Sequence, residues 1–171
     1  VAALSTGQVA ALSTEQVAAI VTANMAALST AQIRALPDGS VTALTTAQIV
    51  ALNSAQVASL TTSQVVALDT AQVAAIETAD FRAMTGTQVA VLSSAQTEAL
   101  SAQQVAAITT ANIRVLTTEA LSALDSTQIA ALTTAQANAL TTAQVANLST
   151  EQLQAIETAD LAAMSAAQVV S

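Results

Sequence analysis

Every eighth residue from Leu4 to Met164 is Leu, Ile or Met, giving 21 consecutive apolar sites with no insertion or deletion between them. Taking that site as position 1, the octad consensus is L-[ST]-T-A-Q-V-A-A. Position 5 is Gln in most octads (Gln8, Gln16, Gln32, Gln48). Position 6 is apolar except at Thr97, and shrinks to Ala only at Ala137. Position 8 is Ala almost throughout, with exceptions at Ser59, Val91, Val115 and Asn147, a preference expected where another backbone lies close. Repetition at a fixed short period marks a stacked array, each unit too small to bury its own apolar face.

The period discriminates between helix and strand. Along one continuous helix an eight-residue step leaves a rotation of roughly 80° per octad, so the two apolar columns would wind over every face. In an unbroken strand positions 1 and 6 have opposite parity and would face opposite sides. Ala and Gln are also weak strand formers, and 3 Gly and 1 Pro leave strand corners unmarked, so a β-solenoid is the alternative and not the preferred fold.

A helix start repeated every eight residues uses every position. Ser or Thr at position 2 with Gln three residues later forms the S/T-x-x-Q capping box, and the apolar residues at positions 1 and 6 form the hydrophobic staple around it. Asn53, Asp69 and Asp125 substitute at position 2 with equally good caps. At Glu77 and Glu157 the cap is expected to move one place, to Thr78 and Thr158, with Asp80 and Asp160 as first-turn acids. A helix of five or six residues is unstable alone, since about 12 to 15 residues are marginal even for good formers. The predicted fold is therefore all-α: a right- or left-handed α-solenoid of very short helices, one per octad, forming a single unit over 1–171. The atypical octad is LPDGSVTAL, 36–44, which holds the lone Pro together with Gly39 and lacks both cap hydroxyl and Gln; a kink or longer turn is expected there.

Composition removes most chemistry. The chain has no His, no Cys, 8% charged residues against roughly 25% in average domains, and a net charge of −8 with only Arg34, Arg82 and Arg114 as cations. That is too little positive charge for phosphate recognition, so no nucleic-acid partner is expected. No stretch nears the ~20 apolar residues of a membrane span. With no usual base or thiolate, and no activating partner for its hydroxyls, the chain is read as a non-enzyme with no catalytic, cofactor-binding or metal site. The nearest constellation is E-T-A-D, pairing Glu77 with Asp80 and Glu157 with Asp160. Two carboxylates fall short of the ~6 to 8 oxygens that Ca²⁺ takes, so these acids are assigned to helix N-termini. The three Arg residues all occupy position 7, a solvated edge. Phe81 falls in the position-6 core column. Thr6, Thr14, Thr22, Thr30 and Thr46 recur at position 3, a hydroxyl row such as an ice- or glycan-binding face would use.

The L-[ST]-T-x-Q-[VI]-x-A octads resemble the repeat arrays of large bacterial secreted or surface proteins, adhesin-like and repeats-in-toxin-like. That resemblance implies an extracellular or cell-surface stalk, although the G-G-x-G-x-D nonapeptide of repeats-in-toxin proteins is absent. The chain opens VAALST, without Met or a basic leader, and is expected to be a segment of a longer polypeptide. The expected role is a structural spacer without catalysis. The alternatives are a self-assembling scaffold, with end-to-end or lateral self-contact, and a surface-binding module using the Thr row.

Overall fold

The computed structural model describes residues 3–170. Among them are 21 helices and no strand, one helix per octad, from α1 (Thr6–Ala10) to α21 (Ala166–Val169). The β-solenoid alternative is thereby excluded and the α-solenoid stands.

Each helix is four to six residues long and begins where the sequence places its cap. In fifteen helices the position-2 side chain accepts the N3 amide while the N3 Gln side chain accepts the cap amide, the complete capping box. Asn53, Asp69 and Asp125 cap as Ser and Thr do. Between helices the chain reverses through two extended residues at positions 1 and 2, for example Leu68 at φ −61°, ψ 136° and Asp69 at φ −77°, ψ 172°. No described residue has positive φ, so the turns need no glycine.

Two of the local expectations fail. The octad at 36–44 shows neither kink nor longer turn: Pro37 takes the N-cap at φ −60°, ψ 138°, and α5 (Asp38–Val41) follows in register. Other N-caps hold nearly the same φ, so proline's ring fits without distortion. The ring removes the cap N–H, and Ser40 at position 5 lacks the amide that would have met it; both halves of the box are missing together. At Glu77 and Glu157 the cap does not move to Thr78 and Thr158, which remain the first helical residues. Sliding the cap by one place would turn the buried Ile76 and Phe81 away from the core.

Helices stack with a skip. Each from α1 to α18 packs against the third helix ahead of it, so successive octads wind around a common axis. Positions 1 and 6 point inward and form one continuous apolar core: Leu68 is 4% exposed, Val73 0% and Phe81 1%. Positions 2, 3, 4 and 7 face solvent in most octads, and position 8 is half-buried along most of the chain. Ala35, Ala75, Ala139 and Ala155 at position 8 pack against the core.

This inside and outside fix a mutational contrast. Val105 is fully buried and Ala111 is exposed. Val105→Asp is expected to cost about 3 kcal/mol or more through an unpaired buried charge. Ala111→Glu, at the second residue of a helix, is expected to change stability by less than about 0.5 kcal/mol. Urea unfolding and limited proteolysis of the two variants would check this, and equal protease sensitivity would invalidate the assignment of faces.

Candidate functional site

The sequence analysis missed the feature on which the array depends. Position 5 is buried along with positions 1 and 6: Gln64 is 0% exposed, and Gln48, Gln72, Gln88 and Gln104 are each 2%. Each such side chain serves two helices at once. In Gln64 the Oε1 accepts the Thr61 cap amide at 2.9 Å, while Nε2 donates to the carbonyls of Ile33 and Leu36, both at 2.9 Å. Those carbonyls belong to the end of a helix one superhelical turn back. The pattern repeats with the same sequence offsets of 31 and 28 residues at Gln48, Gln56, Gln72, Gln88, Gln96 and Gln104. It resumes at Gln128 and continues through Gln136, Gln144, Gln152 and Gln168. A span of 28 residues is 28/8 = 3.5 octads, so one turn of the solenoid holds between three and four octads.

The amide therefore closes both unsatisfied ends of short helices: the N-terminal amide of its own and the C-terminal carbonyls of another. A carboxylate at position 5 would satisfy only the first. Where position 5 is not Gln, the bond weakens or changes. Asn112, one methylene shorter, reaches only the Met84 carbonyl, at 2.7 Å. Asp80 donates nothing and instead accepts the Ser54 hydroxyl at 2.5 Å. Ala120 has no side-chain donor, and its own carbonyl receives the Thr97 hydroxyl at 3.0 Å, which accounts for the polar residue in that core column.

The residues singled out for chemistry stay apart. Glu77 is exposed and makes no cap bond, whereas Asp80 is buried on Ser54, so E-T-A-D does not present two converging carboxylates. No group of three or more potential metal ligands occurs among the described residues. Arg34, Arg82 and Arg114 are exposed, and Phe81 is core. Thr6, Thr14, Thr22, Thr30 and Thr46 are exposed, but at between three and four octads per turn each is rotated by roughly a quarter to a third of a circle from the last. Their hydroxyls spiral around the superhelix and do not share one plane. Glu15 is held below the ordinary carboxylate range first by the Ser13 hydroxyl, 2.8 Å away, and then by its own backbone amide. Glu119 and Glu151 are lowered first by their own backbone amides and then by the Thr118 and Ser149 hydroxyls. All three are first-turn acids on solvated helix starts. No described helix is long and apolar enough to cross a membrane.

The ladder predicts opposite outcomes for one substitution at two places. Gln104→Glu keeps the acceptor for the Ser101 amide but sets a buried carboxylate against the carbonyls of Val73 and Ile76, and is expected to cost about 2 kcal/mol or more. Burial raises the folded-state pKa of the new carboxyl above its unfolded value. The lost stability is therefore recovered as pH falls below the folded pKa, and lost again as pH rises through it. Gln16→Glu lies in the exposed first turn, where the capping box survives, and is expected to shift stability by less than about 0.5 kcal/mol. Urea titrations at pH 4 and pH 7 distinguish the two; equal effects would remove the cross-turn bond from the account.

No curated protein and no solved structure matches the chain. A family model for the ALTTAQ repeat does match, over residues 1–30, 17–54, 49–75, 73–110, 105–134 and 126–150. Those segments join into unbroken coverage of 1–150, most of the chain, and the family's name spells the octad itself, as in Ala139–Gln144 (ALTTAQ). Repeat register, capping and family match agree, and the chain belongs to the ALTTAQ repeat family.

Proposed function

We propose that this chain is a structural spacer: a repeat segment of a larger extracellular or surface protein that sets distance and carries out no catalysis. One observation supports the reading above the others. The cross-turn glutamine bond recurs from Gln32 to Gln168 in unchanged register, while the exposed positions vary among small polar residues with no converging chemistry. Selection for a rod would act on the inner columns and leave the outer ones free. The secreted-protein placement rests on the resemblance of the octads to stalk-forming arrays, and adhesin-like membership is part of the same proposal.

A spacer should change length without changing kind. Seven octads amount to two turns of 3.5, so deleting residues 84–139 rejoins octads at matching positions around the axis. X-ray scattering of the 171-residue chain and of this deletion should give the same cross-sectional radius and a rod one third shorter, seven octads of 21 having been removed. A deletion variant that becomes compact, or a parent that scatters as a flexible coil, would remove the spacer reading.

A further inference from the structure

The two ends of the solenoid are unlike, and each lacks what the other offers. At the N-terminal end Gln8, Gln16 and Asn24 are exposed, and none of their side-chain amide nitrogens has a partner among the described residues. The first two are already aimed: the amides of Ser5 and Ser13 hold Oε1 of Gln8 and Gln16 at 2.8 Å, as in every interior box, which leaves Nε2 directed away from the array. At the C-terminal end the carbonyls of Leu148, Ile156 and Met164 have no donor, whereas Leu124, Leu132's neighbour Leu140 and the other interior position-1 residues receive a glutamine. The same end leaves Leu153 39%, Leu161 40% and Val169 65% exposed around a hollow of about 200 Å³ lined by Val145, Leu148, Leu153, Leu161, Met164 and Val169.

The donors and the acceptors share one spacing. Interior glutamines reach back 28 and 31 residues, so the next three rungs would fall on Val145 with Leu148, on Leu153 with Ile156, and on Leu161 with Met164. A second copy advanced by 168 residues, 21 octads of eight, places Gln8, Gln16 and Asn24 on those rungs in that order. The third rung has an internal precedent. Asn112 bonds the carbonyl of Met84, the residue that opens the octad after Glu77–Asp80; Met164 opens the octad after Glu157–Asp160, and Asn24 would meet it identically. Packing agrees as well. A Cβ on Gly86 would lie 3.4 Å from Asn112 Oδ1 and 3.7 Å from Val115. At the equivalent places the copies offer Ala166 against Asn24 and Ala27, a larger residue facing a smaller one.

We propose that the C-terminal face of one copy receives the first turn of a second copy, so that the chain associates head to tail with the glutamine ladder running across the junction. The proposal rests on the reading of the chain as a structural rod. In this register residues 1–3 of the incoming copy and 169–171 of the receiving copy claim the same places, so one of these short ends is displaced outward, and removing residues 1–3 should tighten association.

Sedimentation equilibrium with two end-specific variants tests this. Q8E/Q16E keeps both capping boxes but replaces the donors with carboxylates; L153K/L161K places charge on the exposed apolar residues of the receiving face. The unmodified chain should gain mass with concentration below about 1 mM, the weak end of specific association. Each variant alone should remain at monomer mass, and an equimolar mixture should double to a dimer, since one retains a working tail and the other a working head. Circular dichroism and urea midpoints matching the parent establish that each variant is folded; the single-ended design means that either variant, paired with the unmodified chain as a chain terminator, gives the same answer if the other is lost. A parent that stays monomeric at 1 mM, or a variant that associates alone as the parent does, would overturn head-to-tail docking. A monomeric rigid rod would leave the spacer reading standing, whereas a monomeric flexible coil would end both.

Discussion

The structure depends on the glutamine amide at position 5. A helix of four to six residues leaves more backbone groups unsatisfied at its ends than it satisfies within, which is why such helices do not persist alone. Here one side chain serves a start and an end together: in Gln136, Oε1 takes the Thr133 amide at 2.8 Å, and Nε2 takes the carbonyls of Val105 and Ile108 at 2.8 and 2.7 Å. Because the two ends belong to different turns, capping a helix and stacking a turn are one event. Burial makes the bond consequential, since an amide or carbonyl shielded from water and left without a partner costs about 1–3 kcal/mol.

Several otherwise separate features follow from that bond. The octad length is held because the amide must leave its own cap and arrive 28 residues back; an inserted residue would move the donor off its carbonyl. The apolar columns at positions 1 and 6 flank the glutamine on the inner side, so excluding water from the core also excludes it from the ladder. Glycine is dispensable because the reversal uses two extended residues. The ends of the array carry the donors and acceptors that the interior consumes, which gives the rod a direction as well as a length.

Much of this was legible in the sequence, and the parts that were not have physical causes. The Leu column, the staple partner at position 6, the caps at Asn53, Asp69 and Asp125, and the core placement of Phe81 all followed from local chemistry that acts within one octad. The burial of position 5 and the turn of between three and four octads did not, because both are set by contacts 28 to 31 residues away. A signal was nonetheless present. A capping box accepts Glu as readily as Gln, yet position 5 is never Glu in 21 octads. That exclusion marks a place that needs a donor as well as an acceptor. Pro37 was misread for the opposite reason: its ring was weighed as a helix breaker, when the N-cap already holds the backbone angle that proline prefers. The family match identifies the repeat and is silent on this bond.

The most direct test is the hydrogen exchange of the glutamine side-chain amides, followed individually by nuclear magnetic resonance. Gln48 through Gln168 should show side-chain NH₂ protons slowed well beyond those of free glutamine, with Gln8 and Gln16 in the open first turn exchanging freely within the same molecule. Uniformly fast exchange at every glutamine would contradict the ladder, and with it the account of how these octads stack.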